Sequence, residues 1–126
     1  MKRSLLIILY FFVIIIIGAI ADGLFDNGIK NISHFLHAIE IGLCLIFGII
    51  FKITFRELIA FILSYLFIRL AIFDISYNIT RGLDLFYIGS TSLYDNIFAK
   101  IPKDGIIFIK IWALILGVGI SIKELK

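Results

Sequence analysis

Four apolar runs, each nearly free of charged residues, constrain the fold of this chain more than any other feature. They cover residues 5–21, 35–51, 55–73 and 105–122, and each holds about 17 to 19 residues. That length is the low end of what a helix needs to cross a hydrocarbon core of roughly 30 Å. The 126-residue chain is 62% hydrophobic, and a soluble domain of this size could not bury so much apolar surface. We predict one integral membrane domain over residues 1–126.

The abundance of isoleucine raises the alternative of β-strands, because β-branched residues favour strands in water. A strand that spans a membrane belongs to a closed barrel, in which polar and apolar residues alternate. Residues 14–17 are four consecutive isoleucines and show no alternation. We therefore predict an all-α fold, an integral membrane four-helix bundle.

The first run has a second interpretation. Lys2 and Arg3 precede it and residues 19–21 (Ala-Ile-Ala) close it, which is also typical of a cleaved secretory signal peptide. The run is long for a signal core, however, and it contains three consecutive aromatic residues at 10–12. We predict a retained helix and keep cleavage as the alternative.

Lysine and arginine in the connections predict the orientation, because cytoplasmic loops carry an excess of both. With the N-terminus inside, the cytoplasmic side carries Lys2, Arg3, Lys52, Arg56, Lys123 and Lys126. The outer side then carries Lys30, Arg81, Lys100 and Lys103. We predict a multi-pass protein of the cell (inner) membrane with both termini in the cytoplasm.

The connection over residues 74–104 is too polar to span and too aromatic for a flexible linker. Asp74, Asn78 and Arg81 recur at helical spacing, so we predict that the third helix continues as an interfacial helix ending near Gly82. The whole connection is predicted to form a structured cap on the outer leaflet.

Two further signals belong to this cap. Residues 92–95 resemble a capping box that opens a short helix, which Pro102 limits. Tyr77, Tyr87 and Tyr94 suit the headgroup layer, where the ring is apolar and the hydroxyl is hydrated.

Ionisable groups inside the predicted spans are costly, so each needs a partner or a role. Glu40, Arg69 and Lys110 all lie roughly 7–8 Å below the outer boundary. We expect Glu40 to pair with Arg69 or Lys110 and so to hold the bundle together. The alternative is a polar cavity, open to the outside, that binds a headgroup, ion or peptide or catalyses a reaction.

Catalysis or metal binding would centre on His34, His37 and Glu40, which follow one another at i, i+3 spacing. Adjacent members of this series can approach one metal ion. The outer two are about 120° apart around the helix, so all three do not easily bind one ion. Addition of Asp22 or Asp74 would give a set of two histidines and a carboxylate. We predict no metal and no cofactor, because no zinc motif, glycine-rich loop or cofactor fingerprint is present.

Other function classes are disfavoured. A serine hydrolase needs a nucleophile beside a base. Ser90, Thr91 and Ser92 are candidate nucleophiles, but Thr91 and Ser92 are better explained as helix caps. The 12 Lys and Arg residues are scattered along the chain, so we predict no nucleic-acid partner.

Small residues indicate where helices approach closely. Gly117 and Ser121 form a small-xxx-small pair, and Gly42, Gly48 and Gly119 are further candidates. Such a pattern suits packing within the chain and self-association equally well.

One resemblance is carried by Arg69, Phe73-Asp74, Asn78 and the run Tyr87-x-Gly89-x-Thr91-x-x-x-Asp95. Over about a quarter of the chain, this pattern resembles a group of small multispan bacterial and phage-encoded membrane proteins of unknown function. The resemblance implies no activity, but it implies that the cap is what the group shares. A fainter similarity to VanZ-like membrane proteins lies in residues 33–36 and in Asp74-x-x-x-Asn78; order and spacing depart from that family elsewhere.

These features predict a non-enzymatic accessory or assembly component whose outer cap contacts a partner or a lipid headgroup. The expected partners are the lipid bilayer and either another membrane protein or a second copy of the chain. The predicted binding residues are Arg69, Asp74, Asn78, Arg81, Tyr87 and Asp95. A membrane-embedded enzyme at the outer leaflet is the first alternative, with His37, Glu40 and Asp74 as catalytic candidates. A small transporter or pore subunit is the second, with Glu40 and Arg69 lining the path.

Overall fold

A computed structural model describes residues 2–89 and 93–125, and in that part of the chain all regular structure is helical. The five helices are α1 (Lys2–Asp26), α2 (Lys30–Phe51), α3 (Phe55–Arg81), α4 (Leu93–Phe98) and α5 (Lys103–Glu124). All but α4 are long and apolar enough to cross a membrane. The predicted all-α class with four apolar helices is confirmed, and each long helix extends beyond its predicted span at one or both ends.

The bundle is built around α1, which packs against α2, α3 and α5. Half of the residues in the apolar 18-residue segment of α1 are buried, against 6% of those in the corresponding segment of α2. Phe11 of α1 is fully buried, and its ring centroid lies 5.7 Å from that of Phe47 on α2 and 4.9 Å from that of Phe61 on α3. The first helix therefore supplies the centre of the core, and α2 lies at the periphery.

The closest helix contact joins α3 and α5. The hydroxyl of Ser64 donates to the carbonyl of Gly117 over 2.6 Å and is also hydrogen-bonded to the hydroxyl of Ser121. A methyl group on Gly117 would lie 2.7 Å from Cγ1 of Ile68 and 2.9 Å from the backbone oxygen of Ser64. The Gly117-x-x-x-Ser121 pair thus serves packing within the chain, as one of the two interpretations predicted.

At the opposite end of the bundle from the α3–α5 connection, the turn between α2 and α3 is held by Arg3. Its guanidinium donates to the carbonyl of Phe51, the last residue of α2, and lies 2.6 Å from the Glu57 carboxylate. Thr54 and Glu57 form a capping box that starts α3. One arginine therefore ties the start of α1 to both neighbouring helices.

The far end of α3 positions the loop that follows it. The helix continues to Arg81 and is capped by Gly82, which adopts φ +68°, so the sequence prediction of an end near Gly82 is confirmed. Asn78 is 1% exposed and donates to the carbonyls of Leu85 and Tyr87 over 3.1 and 3.0 Å. Because one buried amide fixes two loop carbonyls, this segment is held against α3.

The start of α5 gives the loop a second attachment. The carboxylate of Asp84 accepts from the Phe86 amide over 3.0 Å and pairs with Lys103 at 3.2 Å. Both contacts lower the pKa of Asp84, the backbone hydrogen bond more than the lysine. The short α4 agrees with the predicted short helix before Pro102, although Ser92, its predicted N-cap, lies outside the described residues.

Candidate functional site

Three clusters of interacting ionisable and tyrosine side chains lie at one end of the bundle, which is formed by the end of α1, the start of α2, the end of α3 and the start of α5; we call it the polar end. On its α1–α2 side, His37 bridges two carboxylates. Its Nε2 lies 3.2 Å from Oδ1 of Asp22, and its Nδ1 lies 3.1 Å from Oε2 of Glu40. An imidazolium donates to both oxygens, whereas a neutral ring has one N–H to donate. His37 therefore links α2 to α1.

Glu40 reaches this position because α1 presents a glycine to it. The Glu40 carboxylate lies directly over Gly18, where a methyl group would come within 2.3 Å of Oε1. The predicted pairing of Glu40 with Arg69 or Lys110 is not found among the described residues. Glu40 instead contacts His37, one turn back on its own helix, and Lys110 pairs with Asp74. Glu40, Arg69 and Lys110 lie at a similar level along the bundle, but the Glu40 side chain does not face the other two.

We expect Gly18→Ala to stabilise the protein less than Gly42→Ala. Both changes raise helix propensity by about 1 kcal/mol, but only a methyl group at position 18 displaces the Glu40 carboxylate, and nothing lies within 4 Å of one at position 42. Loss of the His37–Glu40 contact should cost about 1 kcal/mol. Unfolding of the two variants in detergent measures the difference, and equal stabilisation would contradict the assigned contact.

On the opposite side of the polar end, Asp74 of α3 is shared by two donors. Its Oδ2 accepts from Nζ of Lys110 on α5 over 2.8 Å and from the hydroxyl of Tyr94 on α4 over 2.7 Å. Lys110 is 5% exposed and also donates to the carbonyl of Leu70 over 3.0 Å. Burial, and then donation to Asp74, raises the pKa of Tyr94, so its hydroxyl stays a donor at neutral pH. One carboxylate thus joins α3, α4 and α5.

A third cluster connects α1 and α3. The hydroxyl of Tyr77 donates to Oδ2 of Asp26. Arg81 donates to the same hydroxyl over 2.9 Å and lies 3.8 Å from the Asp26 carboxylate. Because Tyr77 and Arg81 are one turn apart, the ring and the guanidinium approach Asp26 from the same face of α3.

Residues of the second and third clusters line a cavity of about 600 Å³, which we call the polar pocket. It is lined by Asp26, Phe73, Asp74, Tyr77, Asn78, Arg81, Tyr87, Ile88, Gly89, Tyr94 and Asp95. Five of the six predicted binding residues are among these, and Arg69 is not. Tyr77 and Tyr94, predicted only for the headgroup layer, also line the pocket, as does Asp26, which was not among the predicted binding residues. The spacing of Tyr77 and Arg81 by four residues was the one signal that could have placed Tyr77 in the site.

A second, smaller cavity of about 320 Å³ adjoins the polar pocket, and we call it the apolar groove. It is lined by Leu66, Arg69, Leu70, Phe73, Asp74 and Tyr94. Cζ of Arg69 lies 3.9 Å from the centroid of the Phe73 ring, so the guanidinium covers one face of that ring. The two cavities share Phe73, Asp74 and Tyr94 and follow each other along α3.

The geometry separates the catalytic candidates. Asp74 lines both cavities, whereas His37 and Glu40 line neither and contact α1 instead. Within residues 2–89 and 93–125, no group of three His, Cys, Asp or Glu side chains is arranged to hold a metal ion. The possible nucleophiles at 90–92 lie outside the described residues.

Comparison of the chain with protein-family models, with curated proteins and with solved structures finds no match.

Proposed function

We propose that residues 1–126 form one domain whose four long helices cross the cell (inner) membrane, with both termini in the cytoplasm and the polar end outside. The length of α3 supports this placement: its 27 residues extend about 40 Å, against roughly 30 Å for the hydrocarbon core. Its last turns, from Asp74 to Arg81, then lie at headgroup level. The lysine and arginine distribution supports the orientation.

We propose that the protein is a non-enzymatic accessory component that binds the polar part of a membrane-embedded ligand in the polar pocket. The observation that carries this proposal is the cavity of about 600 Å³, a size typical of small-molecule sites. Its walls are held in place by hydrogen bonds, since Asn78 fixes the loop that carries Tyr87 and Asp74 fixes Tyr94. A pocket formed before binding loses little entropy when a ligand enters.

The two alternatives have weaker support. An enzyme that uses His37, Glu40 and Asp74 needs all three in one cavity, and the polar pocket contains only Asp74 of the three. A pore lined by Glu40 and Arg69 needs several copies of the chain around an axis. A membrane-protein partner for the cap remains compatible with the pocket, because a partner's side chain could enter it as a headgroup does.

Retention of a ligand through purification tests the proposal. We expect native mass spectrometry of the full chain, purified in mild detergent, to show a bound species of defined mass. Tyr87→Ala should lower its occupancy several-fold, whereas Leu85→Ala should not. The two residues match in exposure, 48% and 47%, and in the hydrogen bond from Asn78 to their carbonyls, but only Tyr87 lines the pocket.

The state of the retained species separates binding from catalysis. A binding protein releases it chemically unchanged after prolonged incubation, whereas recovery of a converted product would support the enzyme alternative. Equal occupancy in Tyr87→Ala and Leu85→Ala would remove the pocket as the binding site.

A further inference from the structure

The polar pocket and the apolar groove together have the shape of an amphipathic ligand. We propose, on the basis of the function proposed above, that they hold one phospholipid molecule whose headgroup carries an ammonium group. The headgroup lies in the polar pocket, and one acyl chain follows the groove along α3. The two cavities meet at Phe73, Asp74 and Tyr94, so one molecule can occupy both.

The charge of the pocket selects a cation. Its walls carry three carboxylates, Asp26, Asp74 and Asp95, against the single guanidinium of Arg81. Lys110 pairs with Asp74, and the charge of Arg69 in the adjoining groove is attracted to Asp22 of α1. The three carboxylates of the pocket then outnumber the two cations, Arg81 and Lys110, and the excess charge is negative. At the membrane surface this excess attracts an ammonium group and repels a headgroup whose only charge is its phosphate.

Aromatic rings complete the recognition of the ammonium. Two of the four rings that line the pocket already face arginines: Phe73 lies against Arg69 and Tyr77 against Arg81, with 3.9 and 5.6 Å from Cζ to the ring centroid. The ring of Tyr94 stacks on that of Phe98, with 4.3 Å between centroids. Tyr87 is half exposed, so we assign its ring to the ligand's ammonium through a cation–π contact.

The phosphate of such a lipid also finds a partner. Arg81 lines the pocket, and its Nε–H is buried with no acceptor among the described residues. A buried donor without an acceptor is unfavourable, and a phosphate oxygen close to the guanidinium would supply one after a small rotation of the side chain. The site therefore fits a zwitterionic headgroup, with phosphate and ammonium side by side.

The apolar groove accommodates the acyl chain of the phospholipid. Leu66 and Phe73 are seven residues apart on α3, which is roughly 10 Å along the helix axis, and Leu70 lies between them. Leu66 is 53% exposed, so the groove is accessible from the lipid-facing side of the bundle. Lateral entry from the bilayer then requires no passage through water.

A comparison of two lipids with identical chains tests this proposal. We expect the full-length protein, in detergent, to bind dioleoyl phosphatidylethanolamine about tenfold more tightly than dioleoyl phosphatidylglycerol, by native mass spectrometry. Asp95→Asn and Tyr87→Leu should each reduce this preference, and Leu70→Trp, which fills the groove, should weaken binding of both lipids. Water-soluble phosphoethanolamine, which has no chains, should bind at least a hundredfold more weakly than the phospholipid.

The outcomes separate this inference from the proposed function. A preference for phosphatidylglycerol, with binding still sensitive to Tyr87→Leu, would overturn the ammonium assignment and leave the pocket as a binding site. Equal binding of phosphoethanolamine and the phospholipid would overturn the role of the groove. Lipid binding that no pocket or groove variant changes, in proteins that unfold like the parent, would remove both proposals.

Discussion

Replacing Gly117 by leucine is expected to separate α3 from α5 and to destabilise the bundle by about 3 kcal/mol or more. Even a methyl group at this position lies 2.9 Å from the backbone oxygen of Ser64 and 3.1 Å from the backbone nitrogen of Ile68. Backbone atoms of a helix cannot move aside as a side-chain tip can, so α5 itself must shift. That shift also breaks the buried hydrogen bond from Ser64 to the Gly117 carbonyl.

Gly119→Leu is the matched control for this experiment. Gly119 lies on the same helix two residues later, and a methyl group there has nothing within 4 Å. The two variants add the same apolar side chain. The difference between their unfolding midpoints in a denaturing detergent, monitored by circular dichroism, therefore measures the effect of the α3–α5 contact. Similar unfolding midpoints for the two variants would show that this contact does not hold the bundle together.

The sequence predicted the four helices because each apolar run is long enough to span a membrane and does not alternate. The helix boundaries were predicted less accurately, because the apolar run stops at the first charged residues, whereas the helix continues through them. Asp26 and Arg81 are the last residues of α1 and α3, well beyond the predicted spans. Hydrogen bonds and a cap, such as Gly82 after α3, decide those ends.

The common level of these charged groups along the bundle was also predictable, but their partners were not. Counting residues from the ends of the spans placed Glu40, Arg69 and Lys110 at one level, and the described structure has all three near the polar end. Pairing depends in addition on the rotation of each helix and on which helices are neighbours. Because α1 occupies the centre of the bundle, Glu40 faces Gly18 of α1 and not α3. A linear count of residues contains no information about that arrangement.

Lys110→Met should destabilise the protein by about 3 kcal/mol, the lower end of the range for breaking a buried ion pair. The Lys110 side chain is 6% exposed and that of Asp74 27%, so the substitution leaves a largely buried carboxylate without its cation. The Tyr94 hydroxyl still donates to Asp74, but one neutral hydrogen bond does not replace an ammonium. Methionine preserves the length and apolar stem of the lysine, so packing changes little.

Two further variants decide whether charge is the cause. Lys103→Met breaks a pair of the same chemistry on the same helix, but its side chains are 58% and 61% exposed, so unfolding should change little. The double variant Lys110→Met/Asp74→Asn removes both charges and should recover most of the stability lost in Lys110→Met, because no unpaired charge is then buried. If the double variant is no more stable than the single one, the loss comes from packing or from the Leu70 carbonyl, to which Lys110 no longer donates. Recovery would instead identify Asp74 as a carboxylate that the bundle tolerates only beside Lys110, which ties the charge of the polar pocket to the fold itself.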